Sequence, residues 1–174
     1  MLANEQEGLF TQWLADHKGL IFKVVRTFAA SPEDQADLFQ EILVQLWSSI
    51  PTFRREASAP TWIYKVALNT ALAWQRTEKK HHQRRKPLVE ICEVANPSGD
   101  PLEARETAEM LDALYGEIRK LRKIDSSLIL LYLDGLSYRE MAEILGISET
   151  NVGVKLNRIK KRLAETMKGA GNEL

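Results

Sequence analysis

Cysteine is nearly missing. Cys92 is the only one in 174 residues, so the chain has no internal disulfide and suits a reducing compartment. No apolar run approaches the roughly 18 residues of a membrane-crossing helix. The start, MLANEQEGLF, lacks the basic beginning and apolar core of a signal peptide, and a cytoplasmic location is expected. No segment alternates apolar and polar residues as a half-buried strand would, so the expected fold class is all-α. The chain shows no Gly-rich phosphate loop, no Ser/His/Asp or Cys/His set and no paired carboxylates in a plausible pocket, which argues against an enzyme. His81 and His82 with Cys92 beyond them match no closed zinc site, and Asp34 and Asp37 are explained by a helix start. No metal and no cofactor are expected.

Net charge is also missing, since 24 basic and 24 acidic side chains cancel. The cancellation is uneven along the chain. Residues 1–50 carry 3 basic and 7 acidic side chains, 51–100 carry 9 and 5, 101–150 carry 6 and 10, and 151–174 carry 6 and 2. Two basic blocks thus each follow an acidic one. Binding to a polyanion depends on the local patch and not on the total, so neutrality does not exclude nucleic acid.

What is present is helix. From about Asn4 to Ala30, Leu9, Phe10, Trp13, Leu14, Leu20, Ile21, Val24, Val25 and Phe28 recur at helical spacing. Gly19 either separates two helices or sits inside one. Ser31-Pro32-Glu33-Asp34 is a helix start: a capping serine, proline at the first position and acids in the first turn. That helix runs to about Ile50 and buries Phe39, Ile42, Leu43, Leu46 and Ile50. Asp37, Gln40, Glu41 and Gln45 share another side, which composition alone reads as solvated. Pro51 ends the helix, and a loop from Thr52 to Ala59 carries Arg54 and Arg55. Pro60 opens the next helix, with Ile63, Val66, Ala67, Thr70 and Trp74 inside and Trp62, Lys65, Asn69, Ala73 and Arg76 outside. An aromatic, cations and an amide beside two arginines suit single-stranded nucleic acid, because bases stack on the ring while cations hold the backbone. Trp62 is equally readable as half-buried core.

From about Thr77 to Pro101 the basic run TEKKHHQRRK and a turn-rich stretch read as a linker. A helix from about Leu102 to Leu121 is expected to bury Ala108, Leu111, Leu114, Tyr115 and Ile118. A second, opening at Asp125 or Ser126, ends at Gly135. The stretch LDGLSYREMAEILGISETNVGVKLNRIKKR follows. Ser137 and Glu140 form a capping box, with Met141, Ala142 and Leu145 on the inner side of a short helix. Gly146 stops it, Ile147 plugs the turn and Ser148 caps the next helix. Val152, Leu156, Ile159, Leu163 and Met167 line one face of that helix. Asn151, Lys155, Arg158, Lys161 and Arg162 line the other, and all can donate to phosphates or base edges. These are the parts of a helix-turn-helix; the alternative is a helical hairpin with a solvated basic face.

Two motifs in order, D-x-x-DLFQEILVQLW-x-x-IPTFR with TWIYKVALNTAL, then YLDGLSYREMAEILGISETNVGVKLNRIKKRL, resemble those of bacterial sigma-70 family factors of the small extracytoplasmic-function (ECF) type. The resemblance covers nearly the full length. It implies two small helical domains, 1–80 (core polymerase binding, −10 recognition and melting) and 105–174 (−35 recognition), joined by a linker at 81–104. It implies core RNA polymerase and promoter DNA as partners, with an anti-sigma factor in many relatives. Asp37, Gln40, Glu41 and Gln45 match the family surface that docks on the polymerase clamp helices. Phe53, Arg54 and Arg55 lie in the loop that captures a base flipped from the −10 strand; Asn69 matches a base-reading position, with Trp62 and Lys65 in support. Val154, Asn157 and Arg158 match positions facing −35 base edges, and Thr150, Lys155 and Arg162, with Asn151 beside them, suit phosphates. Gly153 stands where many relatives carry Lys or Arg, which removes one phosphate contact. The rival readings are a helix-turn-helix regulator that binds operator DNA without replacing a sigma subunit, and an antagonist that keeps the fold without promoter activity.

Overall fold

The computed structural model describes residues 3–78 and 101–170, with side chains for 4–77 and 105–166. The linker reading for 81–104 lies outside them up to residue 100, as do His81, His82, Cys92 and the tail from 171. So does the side chain of Met167. Among the described residues there are helices and turns and no strand, and the chain divides into two compact units.

The first unit is built from α1 (Ala3–Phe28), α2 (Pro32–Ser49) and α3 (Ala59–Glu78), with a short 3-10 turn at Ile50–Thr52. Gly19 lies inside one continuous helix. Ser31 caps α2 by accepting from the Asp34 N–H at 3.1 Å, with Pro32 first in the helix. Ser58 caps α3 in the same way through the Thr61 N–H at 3.2 Å. Pro60 is therefore the second residue of α3, one later than the sequence suggests. Each α-helix packs on the other two. Trp13, Ile21, Val24, Val25 and Phe28 from α1 meet Leu38, Ile42, Leu46 and Ile50, and α3 adds Ile63, Tyr64, Ala67, Leu68 and Ala71.

The expected stripes are corrected in detail. On α3, Tyr64, Leu68 and Ala71 are buried while Val66 and Trp74 are half-buried, because α3 meets partners on two sides and needs a wider apolar face. On α2, Leu38 is fully buried whereas Phe39 and Leu43 are half-buried; Phe39 stacks on Phe22 with centroids 4.8 Å apart. The buried hydroxyls of Thr27 and Thr70 donate to carbonyls one turn back, at 2.8 Å each, which satisfies them locally.

The second unit comprises α4 (Pro101–Arg119), α5 (Lys123–Leu133), α6 (Tyr138–Leu145) and α7 (Glu149–Ala170). Its centre is α5, buried at every position from 125 to 131. Burial of Ser126 is tolerated because its hydroxyl donates to the Ile118 carbonyl at 2.8 Å, which also ties α4 to α5. The α4 stripe is a clear correction. Only Ile118 is buried; Leu114 and Tyr115 are half-buried, and Ala108 and Leu111 are exposed. Within its unit α4 is tied to α5 near its own C-terminal end, where the Ile118 carbonyl accepts from Ser126, and burial on α4 is confined to that end.

Both short helices end in Schellman motifs. Gly135 (φ 78°) closes α5, with the Leu136 N–H on the Leu131 carbonyl. Gly146 (φ 66°) closes α6, with the Ile147 N–H on the Ala142 carbonyl. The Ser137–Glu140 capping box is complete: the Glu140 N–H donates to Ser137 Oγ, and the Ser137 N–H donates to Glu140 Oε2 at 2.8 Å. In α6 the buried set is Met141, Ala142 and Ile144, with Leu145 half-buried. On α7 Val152, Leu156 and Ile159 are buried and Leu163 is half-buried.

Candidate functional site

Three surfaces carry the residues of interest. The first lies on α2. Gln40, Glu41 and Gln45 are exposed, and Asp37 is half-buried. Helical spacing puts them on one side, and the Gln45 amide donates to Glu41 Oε1 at 3.0 Å. Val44, at 57% exposure, and Trp47, at 40%, add apolar surface. These two are absent from the expected set. Their signal in the sequence is an apolar pair outside the buried stripe of an amphipathic helix. Trp47 is held edge-on to Phe10, 5.3 Å between centroids.

The second surface is the loop before α3 and the first turns of that helix. Arg54 and Arg55 are exposed, and Arg55 alone among the described non-glycine residues has positive φ, 60°. A left-handed bulky residue is strained, so packing must hold the loop. That packing is aromatic. Phe53 sits edge-on to Trp13 at 5.0 Å and tilted against Trp62 at 5.4 Å. The Trp62 indole N–H donates to Ser49 Oγ at 3.1 Å. Trp62 is half-buried, engaged by Phe53 and Ser49. Lys65 and Asn69 are exposed one turn apart, about 6 Å along the axis. Trp13 supports this loop from 40 residues away, a contact no local pattern signals.

The third surface is the outer face of α7. Thr150, Asn151, Val154, Asn157, Arg158, Lys161 and Arg162 are all exposed, Val154 at 54%. Lys155 departs from the expected outward position. Its side chain is 21% exposed, and its Nζ lies 3.7 Å from Asp125 Oδ1 on α5. Gly153 faces α6: a Cβ there would stand 3.4 Å from the Tyr138 ring, ordinary contact distance. Hydrogen bonds from the Ser137 hydroxyl and backbone hold the Glu140 carboxyl below its ordinary pKa of 4.5, so the cap at the start of α6 is charged at neutral pH.

Among the described residues, no three of His, Cys, Asp or Glu converge as a metal site, and no helix is long and apolar enough to cross a membrane. An all-helical pair of units, the second with a capped helix-turn-helix and an exposed polar, basic recognition face, is the architecture of a DNA-binding transcription factor.

Comparison with known proteins makes this specific. Residues 13–81 match sigma-70 region 2 and residues 104–163 match sigma-70 region 4. Among curated proteins, the ECF RNA polymerase sigma-E factor of Escherichia coli is 30% identical over 75% of this chain and 72% of its own length. RNA polymerase sigma factor YlaC of Bacillus subtilis is 28% identical over 92% and 91%. Among solved structures, the sigma factor RpoE in complex with the anti-sigma factor NepR, from Bartonella quintana, shares the fold with a TM-score of 0.69 at 20% identity, covering 91% of this chain and 96% of that one. CnrH in complex with the cytosolic domain of CnrY gives a TM-score of 0.66, also at 20% identity, over 94% and 90%. The chain belongs to the sigma-70 family of RNA polymerase sigma factors, in its extracytoplasmic-function group. It is a transcription initiation factor that directs RNA polymerase to promoters. The family is a regulatory one.

Proposed function

We propose that the two units divide promoter recognition, with residues 1–80 binding core polymerase and taking the −10 strand, residues 105–174 reading the −35 element, and 81–104 joining them. The observation that carries this is the pair of exposed polar faces on separate units, each backed by its own core. In the first unit, Asp37, Gln40, Glu41 and Gln45 dock on the polymerase. Arg54, Arg55 and Lys65 hold the strand backbone, and Asn69 reads an unstacked base. Phe53 and Trp62, both half-buried, brace the loop and give the base an aromatic neighbour.

The energetics suit a trap. Unstacking a base costs a few kcal/mol, and stacking on protein returns about 1–3 kcal/mol. Phosphate contacts and polymerase binding supply the rest, so melting proceeds without ATP and the chain itself catalyses nothing. In the second unit Val154, Asn157 and Arg158 face base edges. A bidentate Arg–guanine contact is worth about 1–3 kcal/mol of discrimination. Thr150, Asn151 and Arg162 meet phosphates. The protein works in the cytoplasm, where polymerase and promoters are. One structural neighbour is bound to the anti-sigma factor NepR and the other to the cytosolic domain of CnrY, which supports control of this chain by a separate protein.

The test is reconstitution with the host's own core polymerase. The chain should co-elute with core enzyme and yield transcripts from defined start sites. Tight duplex binding without polymerase, and no transcripts with it, would instead favour an operator-binding regulator.

A further inference from the structure

Lys155 is the one basic residue on the front half of α7 that points inward. Helical spacing explains why. It stands three residues after Val152 and four before Ile159, both buried, and next to buried Leu156. It therefore flanks the seam where α7 packs on α5. Across that seam, in the first turn of α5, stands Asp125, only 8% exposed. Its Oδ2 accepts from Arg122 Nε at 3.1 Å. Its Oδ1 is buried without a hydrogen bond, 3.7 Å from Lys155 Nζ. Arg122 is 68% exposed, so water screens much of its charge. The other oxygen depends on Lys155, because a buried carboxylate is costly unless an opposite charge stands beside it.

We propose that Lys155 is an internal anchor of the recognition helix, and that Asp125 is the positioning residue that holds it and thereby aims Val154, Asn157 and Arg158. The pair acts through the rotation of α7 about its axis. Neighbouring residues on a helix diverge by about 100°, so fixing Lys155 against α5 fixes the direction of Val154 on one side and of Asn157 and Arg158 a turn further on. A Lys155 that reached out to a phosphate would strip Asp125 Oδ1 of its counter-charge. The two roles exclude each other and predict different measurements.

The proposal rests on α7 being the promoter-reading helix. The experiment is a double-mutant cycle on the full chain in reconstituted holoenzyme, using Lys155→Met, Asp125→Asn and both together. Affinity for a mapped promoter is measured across salt concentrations, with the −35 element intact or scrambled. Each single variant should weaken binding to the intact promoter about tenfold, the scale of coupling between contacting residues. The double variant, which buries no charge, should recover to within about threefold of wild type. The loss should vanish on the scrambled template, and the salt slope should not change. A phosphate contact would instead lower the slope by about 0.9 for Lys155→Met and leave Asp125→Asn neutral. Such a slope, a double variant no better than the singles, or equal losses on both templates each overturn the proposal. Failure of wild-type holoenzyme to initiate anywhere refutes the promoter-reading role of α7, a distinct outcome from an additive cycle in an active enzyme.

Discussion

The two units solve one problem differently. The first presents Arg54 and Arg55, which we propose meet the −10 strand, on a loop that cannot hold itself. Arg55 is in a left-handed conformation, and the loop keeps its shape because Trp13, Phe53 and Trp62 clasp its base. The second carries its exposed polar face on α7, whose start is capped by Ser148, directly after α6, whose own start and stop are set within a few residues by Ser137, Glu140 and Gly146. The loop of the first depends on long-range packing; in the second the helix ends depend on local chemistry, and the Lys155–Asp125 pair reaches across from α7 to α5. Specificity in the first should therefore be sensitive to residues far away in sequence, and in the second to caps, turns and the Lys155–Asp125 pair.

Mutations can break that contrast, and the largest effect should come from the core both units need. Leu128→Ala, at a fully buried position of α5, should cost the second unit about 2–5 kcal/mol. Hydrogen exchange should rise across α5, α6 and α7 and leave α1 to α3 protected; equal loss in both units would show that they do not fold as separate bodies. Next comes the clasp. Phe53→Ala removes two ring contacts, each worth about 0.5–1.5 kcal/mol beyond burial. It should loosen the Arg54–Arg55 loop, reported by fluorescence of Trp13 and Trp62, and weaken binding of −10 single strand. Gly146→Ala follows, at about 1–2 kcal/mol for placing a side chain in the left-handed region, read as a lower Tm of the second unit. The smallest effect is the charged cap. Because the Glu140 pKa is lowered on folding, its contribution is present above pH 4.5 and is lost as pH falls through the folded value. The stability gap between wild type and Glu140→Ala should therefore close on acidification; a gap that widens in acid would contradict the assignment.

The same contrast decides what could be read from the chain. The bounds of α6, its capping box and its glycine stop were legible because each depends on neighbours within four residues. The outer face of α7 was legible too, except at Lys155. A wheel assigns a charged residue outward by type, yet the register that buries Val152 and Ile159 also draws in Lys155, and only Asp125 makes that tolerable. Of the clasp, Phe53 and Trp62 were visible as residues of interest, but not their engagement with Trp13 and Ser49, which depends on how α1 crosses the loop. The α4 stripe misled for a related reason: Leu111 and Ala108 have helical spacing but are exposed, while burial on α4 falls at Ile118, beside Ser126 of α5. Periodicity shows which residues can be buried, and only tertiary packing shows which have a partner.

The most direct measurement compares Asn69→Ala and Arg158→Ala in reconstituted holoenzyme, scoring core-polymerase affinity and promoter-specific transcription separately. Both variants should bind core enzyme as wild type does and lose transcription at least tenfold, with Asn69→Ala insensitive to changes in the −35 element and Arg158→Ala insensitive to changes in the −10 element. Loss of core binding in parallel with transcription, or the same promoter positions affected by both variants, would contradict a division of promoter reading between the two units.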